Sequence, residues 1–444
     1  MRNAKRSSLV SISVFPLRLI IWCAVFLVVT GVSLTGAAYA AETPYGLAWT
    51  RQLGTSSDDR SLSVAIDGSG NAYISGYTYG SLGGTNAGGF DAFLAKYDSA
   101  GSLLWTEQLG TSSDERCFSV AIDGSGNAYI SGYINSPAAY LAKYDSSGSL
   151  LWTRQLGTSS YDYSHSVAID GSGNAYISGH TSGDLGGPTA GGYDAFLAKY
   201  DSSGSLLWTE QLGTSGSEES WSVAIDGSGN AYISGRTGSD AFLAKYDSSG
   251  SLLWTEQLGT SSVDYSRSVA IDGSGNAYIS GRTDGSLGGT NAGDSDAFLA
   301  KYDSSGALLW TQQLGTSSSD YSFSVAIDGS GNAYISGRTY GSLGGTHAGD
   351  CDAFLAKYDD SGSLLWTEQL GTSAYDESYS VAIDGSGNAY ISGWTYGSLG
   401  GTHAGGCDAF LAKYDSSGSL LLTEQLGQSV PTIVIQWRLT VRGT

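Results

Sequence analysis

From residue 49 onward, short runs of alternating apolar residues recur along the chain. SVAID (63–67) places Val64 and Ile66 on one face. NAYISG (71–76) sets Ala72 and Ile74 against Tyr73 and Ser75. DAFLAKYD (91–98) sets Phe93, Ala95 and Tyr97 against Ala92, Leu94 and Lys96, and SLLWTEQLG (102–110) carries Leu104 and Trp105. Period-two alternation in runs this short predicts β-strands. Both faces of these strands are largely apolar or small, which predicts sheets stacked on both sides rather than a sheet with one wet face. GSGN and SSGS between strands read as hairpin turns, since Gly and Asn tolerate positive φ. The other two connections, GTSSDDR and YTYGSLGGTNAGG, are long. Strand direction alternates, so the long connections should emerge on one face and the tight turns on the other.

The four-strand unit repeats seven times. Its Trp recurs at Trp49, Trp105, Trp152, Trp208, Trp254, Trp310 and Trp366, and Leu422 takes the same slot where an eighth copy begins. The steps are 56, 47, 56, 46, 56, 56 and 56 residues. A four-stranded repeat of this length predicts an all-β, seven-bladed β-propeller of four-stranded antiparallel blades. Each unit buries its faces only against its neighbours, so residues 48–427 form one domain, followed by a tail at 428–444. The Trp strand exists in eight copies, and the expectation is that one terminal copy completes the blade begun at the other terminus. The tail segment IVIQWRLTV (433–441) alternates weakly and could add an edge strand. Units two and four lack most of the second long loop, which predicts two notches in a loop-rich face.

Residues 1–40 read as a signal peptide. Arg2, Lys5 and Arg6 precede the apolar run at 19–29, and Ala38-Tyr39-Ala40 matches the small-x-small cleavage pattern. Cleavage after Ala40 predicts export to the periplasm, the cell surface or the medium, with no membrane span remaining. An uncleaved anchor is the other reading, because the apolar region is just long enough to span. The net charge is −21, and without Arg2, Lys5, Arg6 and Arg18 the chain keeps 17 basic against 42 acidic groups. Such a field argues against a nucleic-acid partner. Export permits disulfides. Cys351 and Cys407 share one repeat position in adjacent blades and could pair only if that position lies near the next blade. Cys117 is left over, and no cysteine set has zinc-site spacing.

The stretches VAIDGSGNAYISG and DAFLAKYDSSGSLLW resemble the bacterial seven-bladed β-propeller repeat family over residues 48–427. The resemblance implies the fold and an exported or cell-surface location, and no particular activity. The Asp-x-x-Gly-Asn-x-Tyr turn is similar to that of NHL propellers. AKYDSSGSLLW looks like the tryptophan-docking segment of quinoproteins, with its Asp shifted by one position and without the unique cofactor and metal ligands those proteins need.

Candidate chemistry is sparse. The turn from Asp67 to Asn71 offers oxygens at positions one, three and five. It begins like a calcium loop but lacks a third carboxylate and a Glu at position twelve. The reading is a plain hairpin turn, with Asp67 and Asn71 as the calcium candidates if a cation binds, and no other cofactor. The carboxylate column Asp59, Glu115, Asp162, Glu218, Asp264, Asp320 and Asp376 is read as holding loops through backbone N–H groups rather than a metal. The seven lysines after residue 40 (Lys96, Lys143, Lys199, Lys245, Lys301, Lys357, Lys413) share one strand position, which suggests blade-to-blade ion pairs or buried stems. The Trp column reads as inter-blade packing.

Two columns differ between copies. One reads Leu62, Phe118, His165, Trp221, Arg267, Phe323 and Tyr379; the other reads Tyr77, Tyr133, His180, Arg236, Arg282, Arg338 and Trp394. No single packed slot accepts Leu, His, Trp and Arg alike, so both columns are expected to be at least partly exposed. Aromatics and arginines stack on sugars and pair with carboxylates or sulfates. The expected function is an exported, non-enzymatic binding or adhesion module that holds a polysaccharide or a surface protein on its loop-rich face. The residues expected to carry binding are Trp221, Trp394, Arg236, Arg282, Arg338, Tyr379 and His180; no catalytic set is identified. A glycosidase or lyase with an axial pair of acids is one alternative. A passive structural envelope protein is the other.

Overall fold

The computed structural model describes residues 59–134, 138–401, 408–426 and 434–435, with Leu53, Thr55, Ser57 and His403. The expected signal peptide, Trp49 and most of the first Trp strand, and Cys407 with any pairing to Cys351, lie outside the described residues. The four strands of the first unit are β1 (Asp59–Ile66), β2 (Ala72–Thr78), β3 (Asp91–Tyr97) and β4 (Leu103–Leu109). They pair in order as an antiparallel meander. Six further units do the same, giving seven blades and strands β5 to β28.

The first strand of each blade packs against the first strand of the next. These inner strands are β1, β5 (Arg116–Ile122), β9 (Asp162–Ile169), β13 (Glu218–Ile225), β17 (Asp264–Ile271), β21 (Asp320–Ile327) and β25 (Asp376–Ile383). A serine stitches each to its neighbour: the Ser63 hydroxyl accepts the Val120 N–H at 3.1 Å, and five equivalent bonds follow round the ring to Ser324 and Val381. Strands β2 and β3 are buried at every position, because they lie inside the sheet and between blades. The outermost strand departs from the expected two-sided burial. Leu103 and Leu104 are 47% and 50% exposed, and the same pair is exposed in every blade. Blades diverge with distance from the axis, so a neighbour covers the outer strand least.

The tight turns explain why so much of the unit is copied without change. Gly70 adopts φ +82°, and Asp67 accepts the Ser69 and Asn71 N–H groups through Oδ1 and the Asn71 amide through Oδ2. Each blade then grips the turns of the next. The Tyr73 hydroxyl donates to Gly126 O at 2.9 Å, and the Lys96 ammonium donates to Ser146 O at 3.0 Å while lying 3.8 Å from Asp67 of its own blade. Trp105 donates to the same Ser146 carbonyl and lies so close to Gly148 that a Cβ there would sit 2.8 Å from the indole. In five blades the lysine is a buried stem with an ion pair inside its blade. Lys301 of blade 5 pairs directly with Asp360 of blade 6 at 2.5 Å, and Lys357 of blade 6 donates to Ser416 O of blade 7 at 3.1 Å.

The ring closes differently from the sequence expectation. The C-terminal Trp-strand copy forms β28 (Leu420–Leu426), the fourth strand of blade 7 behind β25, β26 (Ala389–Thr395) and β27 (Asp408–Tyr414). No described strand of the repeats is shared between the two ends. The tail supplies the link: β29 (Val434–Ile435) pairs in parallel with β1 of blade 1 and lies against β26 and β27 of blade 7.

Candidate functional site

The site is built on a backbone irregularity that repeats in every blade. In the β1–β2 ladder Ser61 faces Gly76 and Ser63 faces Ser75, so Leu62 is an extra residue with no partner. The same β-bulge falls at Phe118, His165, Trp221, Arg267, Phe323 and Tyr379. The first variable column is thus the set of seven bulge residues. A bulge re-aims its side chain and bends its strand, and here the seven line a cavity of ≈ 170 Å³ on the axis, together with the stitching serines. The bulge also fixes the invariant glycine opposite. A Cβ on Gly76 would lie 1.8 Å from Arg60 O, and the other six blades give 1.7–1.8 Å. Only glycine fits, whatever the bulge residue is.

The bulge lies near the start of the inner strand, so this cavity opens toward the long-loop face. Toward the tight turns the axis is apolar, with a second cavity of ≈ 220 Å³ lined by residues such as Ala65, Ile66, Val120 and Ala168. At the head of each inner strand the buried carboxylate does the structural task expected of it. Asp59 accepts the Thr55 N–H and hydroxyl and the Thr78 hydroxyl. Burial raises the pKa of the equivalent Asp320 and Asp376 against these same bonds.

The second variable column packs around the first. Tyr379 stacks on Trp394 at 6.4 Å and on Phe323 at 5.0 Å. The Arg267 guanidinium lies 4.0 Å over the Trp221 ring. His165 Nε2 and His180 Nδ1 are 3.1 Å apart. Burial, then His180 and Arg267, pushes His165 down to about 3, and burial also lowers His180. Trp221, Tyr379, Trp394, Arg236, Arg282 and Arg338 are all half-buried, as expected of a lined cavity. His180 and Tyr77 are not: they are 9% and 6% exposed. Tyr163 and Tyr193 enclose His180, while Phe90 and Arg116 enclose Tyr77, so aromatic neighbours close slots that were expected to be open. His180 is a second-row support for His165.

A third variable column escaped the sequence reading: Arg60, Arg116, Tyr163, Glu219, Tyr265, Tyr321 and Glu377. It lies two residues before the bulge and pairs in register with the second column, Glu219 with Arg236 and Tyr265 with Arg282. Its signal was present, since Arg, Tyr and Glu share one slot, but three tyrosines in DYS made it look like a repeated residue. This column neutralises two of the arginines. Glu219 pairs with Arg236 at 2.5 Å within blade 4, and Glu377 of blade 7 binds Arg338 of blade 6 and the Tyr379 hydroxyl. These glutamates belong to blades three apart, and each is held by an arginine.

The calcium candidates Asp67 and Asn71 lie at the opposite end of the inner strand. Burial opposes ionisation of Asp67, but the bonds from Asn71 and Ser69 and the Lys96 charge outweigh it and hold its pKa low. A cation there would compete with the turn's own donors. Among the described residues no group of three or more His, Cys, Asp or Glu side chains is placed to hold a metal. Cys117 and Cys351 are buried free thiols, and burial raises both.

A model of the beta-propeller repeat matches residues 48–83, 104–137, 151–186, 207–242, 253–288, 309–344 and 365–400. The chain belongs to the SBBP beta-propeller repeat family. Each match begins at the Trp strand and runs through the bulge and past the second strand of the blade. The regulatory protein FlaEY of Caulobacter vibrioides is 28% identical over 173 residues, 34% of this chain and 18% of that protein. An uncharacterized WD repeat-containing protein of Acanthamoeba polyphaga mimivirus is 25% identical over 174 residues, 32% of this chain and 12% of that protein. The chain thus matches under a fifth of either relative's length. Among solved structures, Sqt1 of Chaetomium thermophilum is similar with TM-score 0.51 at 12% identity, covering 83% of this chain and 86% of that one. At that identity the likeness concerns the propeller fold alone.

Proposed function

We propose that this SBBP propeller is an exported, non-enzymatic binding module that holds an extracellular polysaccharide or a surface protein at the axial mouth of its loop-rich face. One observation carries the reading. In the two inner strands the unit varies most at three columns; the first lines one cavity at one end of the axis, and the other two pack around it. Residues that clamp blades together are held constant; residues at the mouth are diversified into Trp, Tyr, Phe, His and Arg. Such rings offer flat apolar faces with polar edges, which suit sugar rings and aromatic-rich protein surfaces. Non-enzymatic action fits the engagement of Glu219 and Glu377 by arginines, because a glycosidase pair needs two carboxyl groups placed together across a bond.

The test is a glycan-array screen of residues 41–444, run with calcium and with chelator. Saturable binding to one class of sugar in both conditions is the expected result. Binding lost under chelation would move the site to the Asp67–Asn71 turns and their counterparts. Absence of saturable binding to any sugar would reject the polysaccharide reading.

A further inference from the structure

The mouth is not electrically uniform. Among the described residues, Arg236 and Arg338 have carboxylate partners, whereas Arg267 and Arg282, both of blade 5, have none within ion-pair distance. Arg267 reaches over Trp221 of blade 4. Arg282 lies between Tyr265 of its own blade and Tyr321 of blade 6, 5.1 and 5.2 Å from the ring centroids. Its Nε–H is buried and has no acceptor, and neither has that of Arg236. Arg236, Arg267 and Arg282 share one sector, and Glu219 there is already engaged by Arg236. Elsewhere the chain is strongly acidic, and Lys96, Lys143, Lys199, Lys245 and Lys413 are seated against the Asp of the tight turns and Lys301 against Asp360. Arg267 is exposed in the mouth and Arg282 is half-buried, and two neighbouring like charges without counter-charge cost stability unless something neutralises them.

We propose that Arg267 and Arg282 form an anion subsite in the mouth of the propeller that takes a carboxylate, sulfate or phosphate group of the bound partner. This rests on the binding reading above and adds to it the charge of the ligand. Guanidinium groups grip such anions with paired N–H donors. Trp221, Tyr265 and Tyr321 hold the two guanidiniums flat, so little side-chain freedom is lost on binding. For a polysaccharide, the subsite selects uronate or sulfated chains over neutral ones.

The probe is inorganic sulfate, titrated calorimetrically into the purified protein at constant ionic strength set with chloride. Saturable binding is expected, weakened at least tenfold in R267Q/R282Q and unchanged in R154Q, which removes a like charge outside the mouth. R267K/R282K keeps the charge without the paired donors and is expected to fall between. Equal affinity in wild type and R267Q/R282Q, with circular dichroism showing both folded, would overturn the subsite. Should R267Q/R282Q fail to fold, wild type and R267K/R282K decide, and equal affinity there would overturn it too. The two readings fail separately: neutral glycans bound on the array with no sulfate response would remove the anion subsite alone. Sulfate binding with no glycan retained would remove the polysaccharide reading and leave the subsite.

Discussion

Gly76 and its six counterparts show how one atom's absence positions a site. Each glycine leaves room for the carbonyl that the bulge pushes across the ladder, at a distance no Cβ tolerates. Replacing one, for example Gly179→Ala, should cost about 3 kcal/mol or more by forcing the bulge to move. Urea denaturation would measure this, and a loss below about 1 kcal/mol would mean that the backbone yields easily. The bulge residue itself is free to vary, which is why the sequence showed that column as a run of unlike residues and could not show where it points. His165 gives a pH-dependent test. Its folded pKa lies near 3, below the ordinary value of about 6.5, so between these pH values the unfolded chain binds more protons than the folded one. Stability should therefore fall as the pH drops below about 6.5 and continue to fall toward 3. His165→Phe, which copies the residue of blades 2 and 6, should make the melting temperature fall less steeply between pH 6.5 and 4.5, with His180, also lowered by burial, supplying the rest. An unchanged slope would show that the loss arises elsewhere. Below that window the hydrogen-bonded turn aspartates, whose pKa values are depressed, also lose their contribution.

At the level of the element, the blade is a clamp more than a layer. Tyr73, Lys96 and Trp105 each reach the turns of the following blade, so Trp254→Leu should lose the contact with Gly306 and the bond to Ser304 O. A cost of about 1–3 kcal/mol is expected. Leu207→Ser, on the outer strand, should change stability by less than about 0.5 kcal/mol, because Leu207 is exposed and clamps no turn. Paired denaturation curves would check both, and equal effects would contradict the clamp. The four strands, their turns and the separation of long loops from tight turns were legible in the sequence, because period-two alternation and glycine placement are local signals. The exposure of Leu103 and Leu104 was not, since it depends on how blades splay. Nor was the burial of His180, which follows from aromatic rings contributed by β9 and by the loop before β11 (Asp194–Tyr200).

Across the whole molecule, six blade junctions are alike and one differs. Where blade 7 meets blade 1, the Ser380 hydroxyl lacks the partner that six equivalent serines have, and β29 spans the gap. Removing residues 428–444 should lower the melting temperature by about 1–3 °C, the shift expected for a loss of about 1–2 kcal/mol from a domain of this size. No change in a calorimetric scan would show that the ring closes without its tail. The repeat count and spacing made the ring legible, whereas two residues of weakly alternating tail could not reveal its seam. The central claim is that binding occurs at the diversified axial mouth and not on the exposed leucine rim. Its most direct test is one glycan array probed with wild type, Trp221→Ala, Trp394→Ala and the rim variant Leu207→Ser/Leu253→Ser. The account expects saturable binding by wild type and the rim variant, with at least tenfold loss in both Trp variants while all four remain folded. Binding that survives in the Trp variants and disappears in the rim variant would contradict it.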